Sequence, residues 1–337
     1  MEEQEYLDRI TDRLKRDMKQ REAELIAEQK NRTEINDLVD FVNSILIKHG
    51  VKELITKEHI RFNAEFVGNV LRIKDKKLSQ IIFDKYFPRP NRTSYYHYTS
   101  FDASKNIVKN KKIRLSNLNK RFDEGEFRTF YDEHGIDGYK IGGMTLGIDY
   151  GEKELMRKIY FFSLTGSGYD YGYNSLWTDF GEEGAGVRLE FKIIPKTLDF
   201  REIFYSTVKE NNSLPMLKEL SEGIQLRYGL PFTFTYISKI GAYYIKGKYQ
   251  NENEFRFIIK TTSDDYNAWN FVPVITDQEN AVEYIEVDFI NDFADFELLS
   301  VQPGYNCSDE DILEIRNEIQ ASGLTAIVLP KAINEYY

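Results

Sequence analysis

Four stretches of this 337-residue chain carry residue types able to do chemistry. The first is the pair Glu252 and Glu254 in Lys248–Ile259, where a polar turn runs into an apolar strand that starts at Glu254. Residues two apart on a strand point the same way. Two near carboxylates raise each other's proton affinity, so one can act as a base while the other binds. The second stretch is Tyr95-Tyr96-His97-Tyr98-Thr99-Ser100. Strand alternation puts Tyr96 and Tyr98 on one face and Tyr95 and His97 on the other, and the hydroxyl pair then caps a helix. The third, Lys105 to Arg121, holds seven basic residues, including Arg114, and no acid. Such a run suits a phosphate, a pyrophosphate or a nucleic-acid backbone. The fourth, Tyr160–Gly186, is rich in Gly and Tyr. A loop bearing Tyr169, Tyr171, Tyr173 and Trp177 offers flat faces for a planar ring. Each stretch also has a plain structural reading: a charged turn, a satisfied strand histidine, a solvated basic helix face, an aromatic hairpin.

The elements that must hold these residues follow from periodicity. Residues 1–34 contain 18 charged residues and one aromatic, Tyr6. Leu7, Ile10, Leu14 and Met18 have helical spacing, and Glu5/Arg9, Asp12/Arg16, Asp17/Arg21 and Glu28/Arg32 sit at i,i+4 with the acid first. The stretch reads either as a solvated helix on the body or as an arm that pairs with a partner chain. Ile35, Leu38, Val39, Val42, Ile45 and Leu46 predict a helix over 35–50, stopped at His49-Gly50. One or two further helices are expected over 51–87, and Pro88 and Pro90 mark a domain boundary near residue 90.

Beyond it, β-rich runs predict strands at Tyr95–Tyr98, Ile113–Leu115, Lys158–Leu164, Gly186–Ile194, Tyr236–Tyr244, Glu254–Lys260 and Val282–Asp288, with a last one at Ala326–Leu329. Helices are expected over 99–110, 210–228 and Ser308–Ser322, the last with Ser308 as N-cap and Asp311 acidic in its first turn. Strands and helices mix without regular βαβ alternation, so the expected class is α+β. The expected division is a helical segment over 1–90, regulatory or partner-binding, and a body over 91–337.

Composition narrows the function classes. With 45 Lys+Arg against 55 Asp+Glu the net charge is −10, which opposes general attraction to nucleic acid or anionic membrane but allows a local basic groove. Twenty-three Tyr and 23 Phe against 8 Pro favour a strand-rich folded body. The one cysteine, Cys307, allows no internal disulfide and no Cys-based zinc site, and a cytoplasmic location is expected. No signal peptide and no transmembrane run is read. His49, His59, His97 and His134 are scattered, so no metal site is expected. The glycines do not form a Walker or Rossmann pattern.

Taken in order, the pieces resemble a bacterial family of domains of unknown function. Its pattern is H-Y-T-S, an N-D-P-F-E-like turn, a strand ending in F-S, W-x-x-Y/F with a glycine, and E-x-E-W/F-R. Here these are His97–Ser100, Asn119–Glu126, Phe162-Ser163, Trp177–Phe180 with Gly186, and Glu252–Arg256. Lys120-Arg121-Phe122-Asp123 stands where that family has its N-D-P triplet. That family is similar in layout to ADP-ribosyltransferases. The likeness implies a split β-sandwich that clamps NAD as a substrate, with no metal. It implies that His97 holds a ribose, with Tyr98 and Thr99 beside it on the same strand, and that Ser163 follows on the next strand. A loop aromatic (Tyr171, Tyr173 or Trp177) would stack on nicotinamide, and Arg114 with Ser116 would meet the pyrophosphate. Glu254 would be the catalytic glutamate, stabilising the oxocarbenium-like cation formed as nicotinamide leaves. Glu252 would face the acceptor and help deprotonate it. Some transferases of this broad kind are toxins in toxin–antitoxin or anti-phage systems, and some modify nucleic acid, including mRNA. By that analogy Lys105–Arg121 would meet a nucleic-acid acceptor, and residues 1–90 would dock an antitoxin or regulator.

Two other function classes compete. One is a non-catalytic sensor or interaction module, in which His97 and Glu254 are structural and the aromatic loop binds a nucleotide or a partner. The other is a nuclease, for which Asp123, Glu124 and Glu126 form the most compact acid cluster.

Overall fold

The computed structural model describes residues 34–61, 64–67, 70–73, 75–124, 126–136, 148–166, 173–206, 213–261 and 271–334. The stripe and ion pairs of residues 1–33, Tyr169 and Tyr171 lie outside the described residues, as do the side chains of Tyr173, Asp123, Glu124 and Glu126.

The strands in chain order are β1 (Ala64–Val67), β2 (Val70–Ile73), β3 (Tyr95–Thr99), β4 (Lys112–Asn117), β5 (Ile159–Thr165), β6 (Val187–Pro195), β7 (Phe200–Glu202), β8 (Phe204–Ser206), β9 (Phe232–Phe234), β10 (Tyr244–Lys246), β11 (Glu254–Lys260), β12 (Val274–Asp277), β13 (Val282–Asp288), β14 (Ala294–Pro303) and β15 (Ile327–Val328). The main sheet runs β12-β13-β4-β5-β3-β6-β14-β15, with β11 branching from β5 and β7 pairing with β11. β1, β2 and β9 form a small sheet, and β8 and β10 pair in parallel. The class is mixed α and β, compatible with the expected α+β.

β5 and β11 form the centre. Their sequences, IYFFSLT and EFRFIIK, are rich in large apolar residues, as strands covered on both faces are, with Ser163, Thr165, Glu254, Arg256 and Lys260 the polar exceptions. Alternation sorts their side chains into two cores. Ile159, Phe161 and Ile258 join one; Tyr160, Phe162, Leu164, Phe255, Phe257 and Ile259 join the other.

β11 occupies one edge of β5 along its whole length. The other edge is divided. β4 pairs with Tyr160 and Phe161, whereas β3 pairs only at Thr165. Phe162, Ser163 and Leu164 therefore face a fork between β3 and β4. Both strands run antiparallel to β5, so they are parallel to each other. The helix Phe101–Asn110 joins the two ends that diverge, Thr99 and Lys112. Ser100 caps it as expected, its side chain accepting from Ala103 N–H at 3.1 Å. On the far side of β3, Gly186 comes so close that a Cβ there would lie 2.3 Å from the Thr99 carbonyl oxygen, a contact only glycine permits.

Residues 51–87 hold two helices, as expected, and also a hairpin that the periodicity does not predict. The short helix Lys57–Arg61 is followed by the β1–β2 hairpin and then the helix Lys77–Tyr86. The stretch 88–94, without regular structure, stands at the expected boundary near residue 90. Packing crosses it: Leu38, Val42, Leu46, Ile82, Phe83 and Phe87 share one core with Phe130, Leu217, Tyr243 and Ile258. The strand expected over Tyr236–Tyr244 is corrected. Tyr236 takes a left-handed conformation and starts the one-turn helix Ile237–Gly241, so only Tyr244–Lys246 is extended. Ser308 and Asp311 form a full capping box on the helix Asp309–Ser322, as expected.

Candidate functional site

The fork opens into a cavity of about 540 Å³. His97, Tyr98, Thr99, Arg114, Ser116, Ser163, Glu252 and Glu254 all line it, so eight of the eleven residues to which the resemblance gives a role meet at one place.

The register explains how they meet. Glu254 stands opposite Thr165, Arg256 opposite Ser163 and Ile258 opposite Phe161, so these six side chains share one face of the β5–β11 pair. β4 adds Ser116, opposite Phe161, and Arg114 two residues earlier on the same face.

Glu254 is 3% exposed and its carboxylate is held on three sides. Arg256 Nε donates to Oε1 at 2.7 Å and Arg256 Nη2 donates to Oε2 at 3.0 Å, while Ser163 Oγ donates to Oε1. The Glu254 backbone N–H donates to Tyr205 Oη at 2.7 Å. Arg256 is 1% exposed, gives Nη1 to the Ala242 carbonyl at 2.9 Å and lies 5.0 Å from the Phe161 ring centroid. The result is a fixed, desolvated carboxylate at the cavity wall. Burial and the Glu254 charge push the Tyr205 phenol well above the usual tyrosine range.

Glu252 lies in the turn Gly247–Glu252, and Asn253 beyond it takes a left-handed conformation. The two glutamates reach one cavity by this turn rather than by strand alternation.

His97 ties β3 to β5 at the fork. Its Nδ1 stands 2.8 Å from the Ser163 carbonyl oxygen, and its ring lies 4.3 Å from that of Phe162. A carbonyl only accepts, so Nδ1 carries the proton. Burial, reinforced by the nearby Lys120 charge against the Ser163 hydrogen bond, lowers the imidazole to about 4. At neutral pH His97 is uncharged, and its Nε2 is an acceptor suited to a ligand hydroxyl.

His134 is a structural counterpart. Its Nδ1 bonds the Phe130 carbonyl at 2.6 Å, its Nε2 accepts from Leu214 N–H at 2.9 Å, and burial likewise lowers it to about 4. Unfolded histidines titrate near 6.5, so between about pH 6.5 and 4 the unfolded chain binds the extra protons. Stability is therefore expected to fall with falling pH through that window. His134 alone accounts for about 2 kcal/mol between pH 7 and pH 5. Urea unfolding at the two pH values, on wild type and His134→Gln, reads it. An equal pH dependence in the variant would refute the assignment.

The basic run divides. Lys112, Arg114, Lys120 and Arg121 line the cavity, whereas Lys105 pairs with Glu314 on the helix Asp309–Ser322 at 2.5 Å. Arg114 already meets Glu286 at 3.2 Å, so an anion entering here exchanges with a carboxylate.

Trp177 is corrected. It sits within the helix Tyr173–Phe180 at 0% exposure, edge-on to Tyr98 with centroids 5.0 Å apart, and does not line the cavity. Its rings pack behind the cavity wall, against Tyr98, rather than facing the cavity. The same helix presents Leu176, Asp179 and Phe180 instead. Tyr173 is its first residue.

Sequence reasoning gave no role to Arg256, though the two-residue strand period from Glu254 points to it. Tyr205 had no local signal, being 49 residues from its partner. Among the described residues no cluster of three or more His, Cys, Asp or Glu is placed to hold a metal, and no helix is long and apolar enough to cross a membrane. Comparison of the chain with family models, with curated proteins and with solved structures gave no match.

Proposed function

We propose that this chain is an NAD-consuming ADP-ribosyltransferase, acting as a toxin or anti-phage effector on a nucleic-acid or protein acceptor. One observation carries the reading: His97, Arg114, Ser116, Ser163, Glu252 and Glu254, from four separate stretches of sequence, line one cavity at a forked sheet. Its volume lies within the usual range for a small-molecule site. The residues fit the substrate's chemistry. Arg114 and Lys112 supply charge for a pyrophosphate, His97 Nε2 accepts from a ribose hydroxyl, and the Glu254 carboxylate is preorganised against a developing cation.

The bond between ribose C1′ and the nicotinamide nitrogen breaks, and nicotinamide leaves as a neutral molecule with the bonding pair. Glu254 offsets the positive charge on the ribose. The acceptor nucleophile bonds to C1′, and its proton passes to Glu252.

The test is incubation of the protein with labelled NAD and fractionated lysate. Label transfer with release of nicotinamide is the expected result. Absence of both from every fraction would sink the reading.

A second reading has its own support in the bidentate Arg256 grip on Glu254. A carboxylate so engaged also suits a sensor that binds NAD without cleaving it. A rise in melting temperature with NAD but no turnover would favour that reading.

A further inference from the structure

The helix Phe101–Asn110 contributes residues to the cavity that neither reading above uses. Ala103, Asn106, Ile107 and Asn110 all line it, and their spacing places them on one helix face. Ile107 is buried and Ala103 half-buried, while the two asparagines are exposed. The face thus pairs an apolar floor with two carboxamides one turn apart. Asn110 stands two residues before Lys112, the cationic end of β4.

We propose that this helix face is a subsite for an adenine base, selected by its exocyclic amine. The identity of the whole ligand rests on the transferase reading, but the chemistry of the subsite is independent of turnover. A carboxamide offers one acceptor and one donor side by side, the complement of adenine's amino group and adjacent ring nitrogen. An amide free to turn over would serve hypoxanthine as well. Asn106 is not free, because its Nδ2 donates to the Asp102 carbonyl at 3.0 Å. That bond takes one of its two N–H groups and fixes the order in which Oδ1 and the remaining N–H face a base, Oδ1 toward the exocyclic amine and N–H toward the adjacent ring nitrogen.

The order of groups agrees with a dinucleotide. Adenine on the helix face lies next to Lys112 and Arg114 for the phosphates. The fork beyond carries the His97 acceptor and Glu254 for the second ribose.

Calorimetric titration with AMP and with IMP, on wild type and on Asn106→Leu/Asn110→Leu, tests the subsite. Both positions are exposed, so the double variant is expected to fold, which its melting temperature checks. AMP is expected to bind wild type about tenfold more tightly than IMP, as for one or two lost hydrogen bonds. In the double variant the ratio is expected to fall close to one. Equal affinity of wild type for both nucleotides, binding of neither, or a preference that survives in the double variant would overturn the proposal. A preference for AMP in a protein that never cleaves NAD would keep the subsite and remove the transferase reading. Cleavage of NAD and its hypoxanthine counterpart with equal efficiency would do the reverse.

Discussion

If the chain cleaves NAD as proposed, Glu254→Gln is expected to slow nicotinamide release by about a hundredfold or more, the usual cost of removing a preorganised charge from a developing transition state. The substitution keeps the shape of the side chain but not its charge. An amide also turns one N–H pair toward Arg256, whose Nε and Nη2 both donate to Glu254. One of those two bonds then becomes a donor–donor contact. The rate loss must therefore be read beside a melting curve. A folded Glu254→Gln protein that cleaves NAD at the wild-type rate would remove Glu254 from the chemistry.

The largest expected loss of stability is at Arg256. Its guanidinium and the Glu254 carboxylate are both almost fully buried. Truncating one partner leaves the other charged and uncompensated in a desolvated site, which typically costs about 3–5 kcal/mol. Arg256→Ala is expected to lose that much by urea unfolding. The double variant Glu254→Ala/Arg256→Ala is expected to lose clearly less than the sum of the two single variants, because it strands neither charge. Additive losses would show that the pair is not coupled as its geometry implies. The two variants also separate stability from chemistry: the first removes a support, the second removes both the support and what it supports.

Most of the site was legible in the sequence because its parts are local. The run EFRFIIK is apolar after its first residue except for Arg256 and the closing Lys260, and it follows a polar turn, so the strand start at Glu254 can be read directly. The Thr99-Ser100 pair before a helical stripe marks the turn out of β3, and Ser100 takes the cap. The fork was not legible, since it depends on which of β3 and β4 holds which end of one edge of β5. Trp177 misled because an aromatic among glycines reads the same whether it stacks on a ligand or fills a core. The helix Glu126–His134 is missing from the sequence reading, although Phe127, Phe130 and Tyr131 follow helical spacing. β14 is missing too, and its alternation of Ala294, Phe296 and Leu298 shows plainly only once β6 is placed beside it. The run Ile237–Ile245 is apolar enough for a strand, and one left-handed residue at Tyr236 redirects it.

The packing across residues 88–94 bears on how such a protein can be controlled. Arg201, from the strand beside β11, donates to the Phe87 carbonyl at 2.8 Å, and Phe83 and Phe87 both rest against Tyr243. Residues 34–87 are therefore no detachable cap. A protease nick in the exposed stretch after Phe87 would leave the two pieces clasped, and a fragment lacking the first would expose the underside of the strand that carries Glu254. Any switch that works by shedding this segment would dismantle the pocket along with it.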